Sequence, residues 1–379
     1  MNIDKLPDDC LLYIFNLFNR FETLLNCAEV CERWKHLVFK RLKTVKYLTN
    51  SLERDRYPAG TIYFSEDDRL EQIGTSKWFP KLKILDLCEW HYLDLISNLP
   101  VKGLQLLSYY GYLDNITLDI PSVEMIAAQD FYNSFANAKQ GPKIEQLYIL
   151  HCNVSRFSRH AKYFPNLKRL HIEDVRTYAP FVDKCYTGPV LEKLEILEIS
   201  LFAEYAEFFN KKYYGFSLAD HCPALKSAFH VIQSREPFVN SEIKNYVLED
   251  LVLLFGCDWS ILRCILSKYP NLKHLAIRGG TYISDENIPE LLKLLPRLTL
   301  IDVRDSQEVT EKSADYIDWY CQRRNRSISF YYRHNGTEIT KEWPNSLTKH
   351  VRIGRGLDFM KWCFFRDFDD MPFLLDPDE

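Results

Sequence analysis

An apolar triplet recurs along most of this chain, with apolar residues at positions 1, 4 and 6 of a short window. Ten clear copies start 19 to 31 residues apart, and 216 residues over nine steps give an average period of 24. Repetition at this period predicts a solenoid, because one such unit cannot bury its apolar face alone and must stack on its neighbours. The copies start at Leu82, Val101, Val123, Ile144, Leu167, Leu194, Leu225, Leu248, Leu272 and Leu298.

Proline marks the register of the repeat. In seven of the ten copies a proline stands two residues before position 1. Proline ends a helix and disfavours helical backbone at the residue before it, so each of these positions predicts the end of a helix and the approach to a strand. A further copy is predicted at Ala59, Ile62 and Phe64.

Each copy predicts a short strand followed by a return helix. Positions 4 and 6 of the strand face the core, whereas positions 3, 5 and 7 point to the other face of the sheet. Residues 284–295 are an example of the return helix. This pattern resembles the leucine-rich repeat over roughly residues 55–332. The repeat usually has Asn or Cys at position 9, and here only Cys152 fits. The resemblance implies a parallel sheet in a horseshoe-shaped solenoid.

Three short helices are predicted in the first fifty residues. Apolar residues recur at three- and four-residue spacing from Leu11 to Phe18, which predicts the first helix. A break at Asn19-Arg20 precedes the second helix, and the third begins near Cys31. Three such helices cannot bury this much apolar surface alone. They therefore either cap the rest of the chain or dock another protein.

The order and spacing of these residues resemble the F-box family over about residues 3–45. The stretch begins with Leu6-Pro7 and ends with a Val-Cys-Glu-Arg-Trp sequence at positions 30–34. The resemblance implies that an apolar face of the module binds a Skp1-like adaptor and, through it, a cullin. The docking residues that it implies are Leu6, Pro7, Leu11, Ile14, Phe15, Val30, Cys31 and Trp34. Some of these side chains would instead hold the three helices together.

An F-box followed by such repeats is typical of the substrate receptors of SCF ubiquitin ligases. The implied fold class is α/β: a three-helix F-box at residues 1–48, a leucine-rich-repeat solenoid with strand–helix repeats at 55–332, and a C-terminal cap or tail at 333–379. The implied function is a non-catalytic adaptor that holds a protein target for ubiquitination. A ligase-independent scaffold, in which the helices merely cap the solenoid, is the alternative.

An apolar stripe is predicted on the outward positions of the middle strands, where a protein target would bind. Two alternatives stay open: the C-terminal tail covers the stripe, or a register error of one residue places these side chains in the core. The candidate target-binding residues are Tyr148, Leu150, His171, Phe229, Val252 and Leu254, with Val231 in the same stripe.

The tail is both acidic and aromatic. Residues 364–379 hold six acidic residues against one arginine, together with four phenylalanines. Such a tail could be a disordered end, a cap on the last repeat, or a strap across the strand face. Because the open end of a solenoid needs cover, capping is the favoured interpretation.

Charge and cysteine content limit the compartment and the partners. A net charge of −4 gives no basic field for nucleic acid or an anionic membrane, and no apolar run approaches the length of a membrane span. The 11 scattered cysteines, and a start that lacks the features of a signal peptide, predict a reduced protein of the cytoplasm and/or nucleus.

No residue cluster predicts chemistry. The sequence contains no glycine-rich phosphate loop and no Cys-x-x-Cys pair, and no cysteine stands out as a nucleophile. We therefore expect no cofactor, no metal and no catalytic residue, and an enzyme with its own active site has no support.

Overall fold

The structure is a computed structural model of the chain, and it describes residues 3–51, 56–65, 75–87, 101–107, 122–132, 135–174, 183–201, 212–234, 236–279, 283–343 and 351–378. The chain divides into two compact units. The first contains Met1–Ile144, His350–Gly356 and Phe373–Glu379, and the second contains Glu145–Lys349 and Leu357–Pro372. The C-terminal segment therefore contributes residues to both units.

A module of three helices opens the first unit, as predicted. Leu11, Phe15 and Trp34 are buried at its centre, where the rings of Phe15 and Trp34 meet edge to face at 5.2 Å. Burying side chains of this size contributes about 1.5–3 kcal/mol each. The three helices are α1 (Asp8–Leu17), α2 (Phe21–Val30) and α3 (Glu32–Leu42).

The helical module packs on the strands that follow it within the first unit. The ring of Phe21 lies 5.8 Å from that of Phe79, and the ring of Phe39 lies 4.3 Å from that of Trp78. The Tyr63 amide also donates a 2.7 Å hydrogen bond to the Asn19 carbonyl. The module therefore covers the start of the sheet as well as having its own core.

The strands of the first unit are parallel, in the order β2-β1-β3-β4-β5. The copies that start at residues 82, 101 and 123 form β3 to β5, with Leu85, Leu104 and Ile126 in register. The copy predicted at Ala59 forms β2, whereas β1 was not predicted. The bounds are β1 Tyr47–Thr49, β2 Ile62–Tyr63, β3 Ile84–Asp86, β4 Gly103–Leu106 and β5 Met125–Ala128.

The described part of the second unit contains eight parallel strands that lie side by side in chain order. Leu147, Leu170 and Leu197 pair across neighbouring strands, which confirms the predicted register of position 4. The strands are β6 Gln146–Ile149, β7 Arg169–Asp174, β8 Ile196–Leu201, β9 Ser227–Ile232, β10 Asp250–Phe255, β11 His274–Arg278, β12 Leu300–Asp302 and β13 Ser329–Tyr331.

Return helices are shorter and less regular than the repeat predicts. The helix predicted at 284–295 spans only Ile288–Leu294, and residues 236–249, which lead into β10, contain no helix. The described return helices are Thr75–Trp78, Val154–His160, Gly215–Ala219, Trp259–Leu266, Ile288–Leu294 and Glu311–Arg324. The predicted fold class, three helices followed by an α/β solenoid of parallel strands, is confirmed.

Two small strands lie in the C-terminal segment. β14 (Ile353–Arg355) pairs in parallel with β15 (Leu374–Asp376), and both belong to the first unit. The Asp376 carboxylate, which is buried, accepts hydrogen bonds from the Tyr47 hydroxyl at 2.8 Å and from Lys83 Nζ at 3.1 Å. These contacts fix the end of the chain on β1 and on the approach to β3.

Candidate protein-interaction sites

Arg33 holds the N-terminal turn of the helical module against α3. Its Nη2 atom donates to the Leu6 carbonyl at 2.6 Å and lies 2.6 Å from the Asp8 carboxylate. Both charged side chains are largely exposed, so the ion pair itself contributes little to stability. The consequence is geometric, because the Leu6-Pro7 turn is fixed beside the start of α3.

The eight predicted docking residues divide into two groups. Leu11, Phe15 and Trp34 are buried inside the module, so they hold its helices together. The residues on the surface are Leu6 and Ile14, which are half-buried, and Pro7, Val30 and Cys31, which are exposed. The structure thus separates two roles that the sequence left mixed, and only the second group is accessible to a partner.

Further apolar side chains are exposed on the same module and were missed in the sequence. Tyr13 and Leu17 are 68% and 66% exposed, and Ile3 is also largely exposed. Tyr13 and Leu17 lie one turn apart on α1 and therefore share a face. The signal was present in the sequence, because both residues fall out of phase with the buried Leu11 and Phe15. These side chains make the exposed face of α1 a candidate site for a partner protein.

The stripe predicted as a target surface is not exposed. Tyr148, His171, Phe229 and Val252 are all buried, and Leu150 and Leu254 are half-buried. The predicted register is correct, because the residues of this row pair with one another across β6 to β10. Exposure of the stripe is therefore the part of the prediction that is wrong, and the cover on His171 and Phe229 comes from the chain's own C-terminal segment.

Residues Leu357–Pro372, here called the strap, lie on the strand face of the second unit. The strap contains a π-helix, Met360–Phe364, and a 3-10 turn, Phe368–Asp370. Its contacts reach from β7 to β13 and are not confined to the last repeat. Three roles were considered for the tail. These contacts fit a segment that crosses the strand face rather than a cap on the last repeat.

Two arginines of the sheet grip the main chain of the strap. Arg169 Nη2 donates to the Pro372 carbonyl at 2.7 Å. Arg278 donates to the Phe364 carbonyl at 2.5 Å and to the Arg366 carbonyl at 2.8 Å. Both guanidinium groups are almost fully buried, so these charge-assisted hydrogen bonds are shielded from water.

Aromatic side chains of the strap fill the space between these hydrogen bonds. The Phe368 ring lies 4.6 Å from the His171 ring and 5.4 Å from the Phe229 ring. Near the other end, Phe365 packs on Tyr331 and Trp343 at 6.2 and 5.1 Å. The strap therefore covers two of the residues proposed from the sequence for target binding.

A fully buried carboxylate organises the polar part of this contact. Glu198 accepts from Arg169 Nε at 3.0 Å, and its oxygens lie 3.1 Å from His171 Nδ1 and 2.9 Å from Cys363 Sγ. Burial alone raises the pKa of Glu198, but the Arg169 charge and the hydrogen bonds from His171 and Cys363 lower it to about 2. Burial and the neighbouring carboxylate raise the pKa of the Cys363 thiol well above its ordinary value, so Cys363 is a protonated donor to Glu198.

A second buried ion pair lies farther along the same face. Arg278 contacts the Asp302 carboxylate at 3.1 Å, and Arg304 also binds Asp302, at 2.8 Å. Burial lowers the pKa of Arg278, whereas the charge of Asp302 opposes this effect. Asp302 therefore has a second cationic partner in Arg304.

The described residues show no cluster of side chains suited to metal binding. Among them, no cluster of three or more histidine, cysteine or acidic side chains could hold a metal ion. His230 lies at a core position, where its Nδ1 is 2.6 Å from the Tyr213 hydroxyl. Burial lowers the pKa of His230 to about 3, which keeps this imidazole neutral. None of the helices in the described ranges is long and apolar enough to cross a membrane.

Comparison with known proteins gives a family for the helical module. A family model described as F-box-like matches residues 3–44, which contain α1 to α3. Residues 3–44 are an F-box-like domain. This agrees with the resemblance seen in the sequence and with the exposed apolar residues on the module.

Two further comparisons cover the whole chain. Among curated proteins, no sequence matches it. Among solved structures, the crystal structure of the Rad7 and Elc1 complex in yeast is similar with a TM-score of 0.39 and 14% identity, over 81% of this chain and 90% of that chain. A similarity at this level does not define the partner of the present chain.

Proposed function

We propose that this chain is a non-catalytic substrate receptor of an SCF-type ubiquitin ligase, of the F-box/leucine-rich-repeat group. Its F-box-like domain binds a Skp1-like adaptor, which links it to a cullin, and its solenoid holds a protein target. One observation carries the proposal: Tyr13, Leu17 and Val30 are more than half exposed on a domain that matches the F-box-like family. Apolar side chains at this exposure gain stability when a partner covers them.

The contribution to ubiquitination is proximity. A receptor that holds its target and the ligase together raises the effective concentration of a target lysine near the conjugating enzyme. This role requires no nucleophile, cofactor or metal from the chain itself. The proposed compartment is the cytoplasm and/or the nucleus, where the proposed partners and reduced cysteines are compatible.

A ligase-independent scaffold remains the second candidate, because the helical module packs on Trp78 and Phe79 and its Asn19 carbonyl accepts a hydrogen bond from the Tyr63 amide of β2. The two candidates differ in what the exposed residues do. In a cap, only buried side chains such as Phe21 matter. In a receptor, the exposed side chains of α1 bind an adaptor.

Co-purification with a Skp1-like adaptor distinguishes the two candidates. We expect the wild type to form a one-to-one complex and the Tyr13→Ser/Leu17→Ser variant to lose about 100-fold or more in affinity, since each buried side chain is worth about 1.5–3 kcal/mol. The matched control is Tyr246→Ser/Val247→Ser, which removes exposed apolar residues from the second unit and should bind normally. A folded wild type that forms no complex would rule out the receptor role and leave the ligase-independent scaffold as the function.

A further inference from the structure

The strand face beneath the strap differs in composition from the core of the sheet. Positions 4 of the middle strands carry apolar residues such as Leu170, Leu197 and Leu251, which stay buried whatever the strap does. The opposite face carries Glu198 and Asp302, together with the arginines that pair with them. Buried ion pairs are no more stabilising than apolar residues of similar volume. The stability of a closed layer alone therefore does not account for these charges, whereas a face that opens to water accommodates them.

The hydrogen bonds that hold the strap can form with the main chain of any other peptide. Arg169 and Arg278 donate to main-chain carbonyls at three positions of the strap, and carbonyls of this kind are present in every polypeptide. Selectivity comes from the side chains between them. Phe368 packs against His171 and Phe229.

The acidic neighbours of Phe368 take no part in this contact. Asp367 and Asp369, on either side of it, are both exposed. The strand face therefore offers its rings as an apolar site for an aromatic side chain and its two arginines as donors to main-chain carbonyls. A segment with aromatic side chains at this spacing is complementary to the face.

The strap is also separable from the segments that flank it. It lies between β14 and β15, which pair with each other in the first unit, and Asp376 of β15 is fixed by Tyr47 and Lys83. Release of the strap from the strand face breaks none of these contacts. Because the pairing of β14 with β15 already holds the ends of the strap together, docking of the strap adds no further cost of loop closure. Docking and release of the strap are therefore local events.

We propose that the strand face of β7 to β11 is a peptide-binding groove, that the strap is its resting occupant, and that a target segment with aromatic residues takes the place of the strap. This inference rests on the proposed function in one respect, since it names the class of target that the receptor holds. The strap is the template: its aromatic residues and its three carbonyls bound by arginine define the ligand.

The tether sets the strength of the competition. A segment attached by short linkers competes at an effective concentration of about 1 mM, so a free peptide of the same sequence binds the wild type poorly. Weakening the strap in cis removes this competition and leaves the face intact. We expect the apparent affinity for the free peptide to rise at least tenfold when Phe364→Ser and Phe368→Ser are introduced together.

The test uses the full chain and a fluorescent peptide with the sequence of residues 357–373, carrying Cys363→Ser to prevent oxidation. Fluorescence anisotropy compares the wild type, the Phe364→Ser/Phe368→Ser variant and the control Asp369→Ser, which changes an exposed strap residue. Tight binding only by the strap variant, abolished by adding Arg278→Gln, supports the groove. Asp302 keeps Arg304 as a partner in that background. Equal weak binding by all chains, with the strap variant folded, overturns it.

Hydrogen exchange of the wild type provides a test that needs no variant. If the strap is a separable occupant, its amides exchange faster than those of β7 to β10 by at least tenfold. Exchange of strap and strand amides at one common rate would mean that they open only together, and the groove would be refuted. Neither measurement involves a Skp1-like adaptor. Failure here, with adaptor binding intact, would therefore overturn the groove and leave the receptor role standing.

Discussion

Replacing Glu198 by glutamine tests the electrostatics of the strand face. A fall in the pKa of Glu198 from 4.5 to about 2 corresponds to about 3 kcal/mol of folding stability, because each tenfold change in proton affinity is worth about 1.4 kcal/mol. Glu198→Gln removes the charge and leaves Arg169 buried without its counterion. We expect the variant to lose about 3–5 kcal/mol in the free energy of unfolding at pH 7, as is typical of a broken buried pair.

The lowered pKa of Glu198 also predicts how the free energy of unfolding changes with pH. Because the folded-state pKa is lowered, the contribution of Glu198 is complete above pH 4.5 and is lost as the pH falls toward 2. About 2 kcal/mol should be gone by pH 3. The difference between wild type and variant should therefore shrink by about that amount between pH 6 and pH 3.

Urea denaturation followed by circular dichroism measures both quantities. The matched control is Glu195→Gln, because Glu195 forms a surface ion pair with Lys226 at 2.8 Å just before the same strand. Exposed pairs are worth about 1 kcal/mol or less, so this variant should resemble the wild type at every pH. A difference between wild type and Glu198→Gln that stays constant from pH 6 to pH 3 would refute the assigned role of Glu198.

Three further substitutions test other parts of the structure. Phe15→Ala should lower stability by about 3–5 kcal/mol, measured by thermal or urea unfolding, whereas Tyr13→Ala, two residues away on the exposed side of the same helix, should leave stability within about 0.5 kcal/mol. Gly215→Ala should cost about 1–3 kcal/mol in the same assay, because the new methyl group would meet the ring of Tyr213; an unchanged midpoint would contradict this packing. Arg33→Ala should weaken adaptor binding several-fold with little change in melting temperature, because the Leu6-Pro7 turn loses its anchor; calorimetry with the adaptor checks this.

The repeat register could be predicted from the sequence because it is a local property. Alternation with a period of two residues, as in Leu147 and Ile149, decides which side chains face the core, and pairing with the next copy then follows. The strand β1 was missed because prediction from the repeat depends on a local signal, which this strand lacks. Tyr47–Thr49 is a short strand directly after α3 and carries no triplet, so nothing local distinguishes it from the end of a helical module.

Cover of the strand face by the C-terminal tail was one of two alternatives that the sequence left open, and the sequence could not choose between them because the cover depends on contacts between residues that are far apart in the chain. Arg169 and Pro372 are 203 residues apart, and no periodicity links them. The sequence indicated that the tail is aromatic, and it placed Phe229 and His171 correctly on the outward row. It left open whether these two groups of residues meet.

Within the helical module, the sequence identified the family and left the roles of its residues mixed. The match to the F-box pattern draws attention to positions such as Phe15 and Trp34, which the structure shows to be core. Helical phase separates the roles better than the motif does. Tyr13 and Leu17 are apolar residues outside the buried phase, and only the arrangement of the three helices shows that nothing in the described part of the chain covers them.

Cysteine alkylation in the presence of a Skp1-like adaptor tests the receptor role most directly. Cys10 and Cys31 are exposed on the helical module, whereas Cys185, Cys264 and Cys321 are partly exposed in the second unit and serve as internal controls. If the F-box-like domain binds the adaptor through its exposed apolar residues, alkylation of Cys10 and Cys31 should slow at least tenfold while the three controls are unchanged. A complex in which both thiols react at their free rates would contradict the docking surface, and the absence of any complex would contradict the receptor role itself.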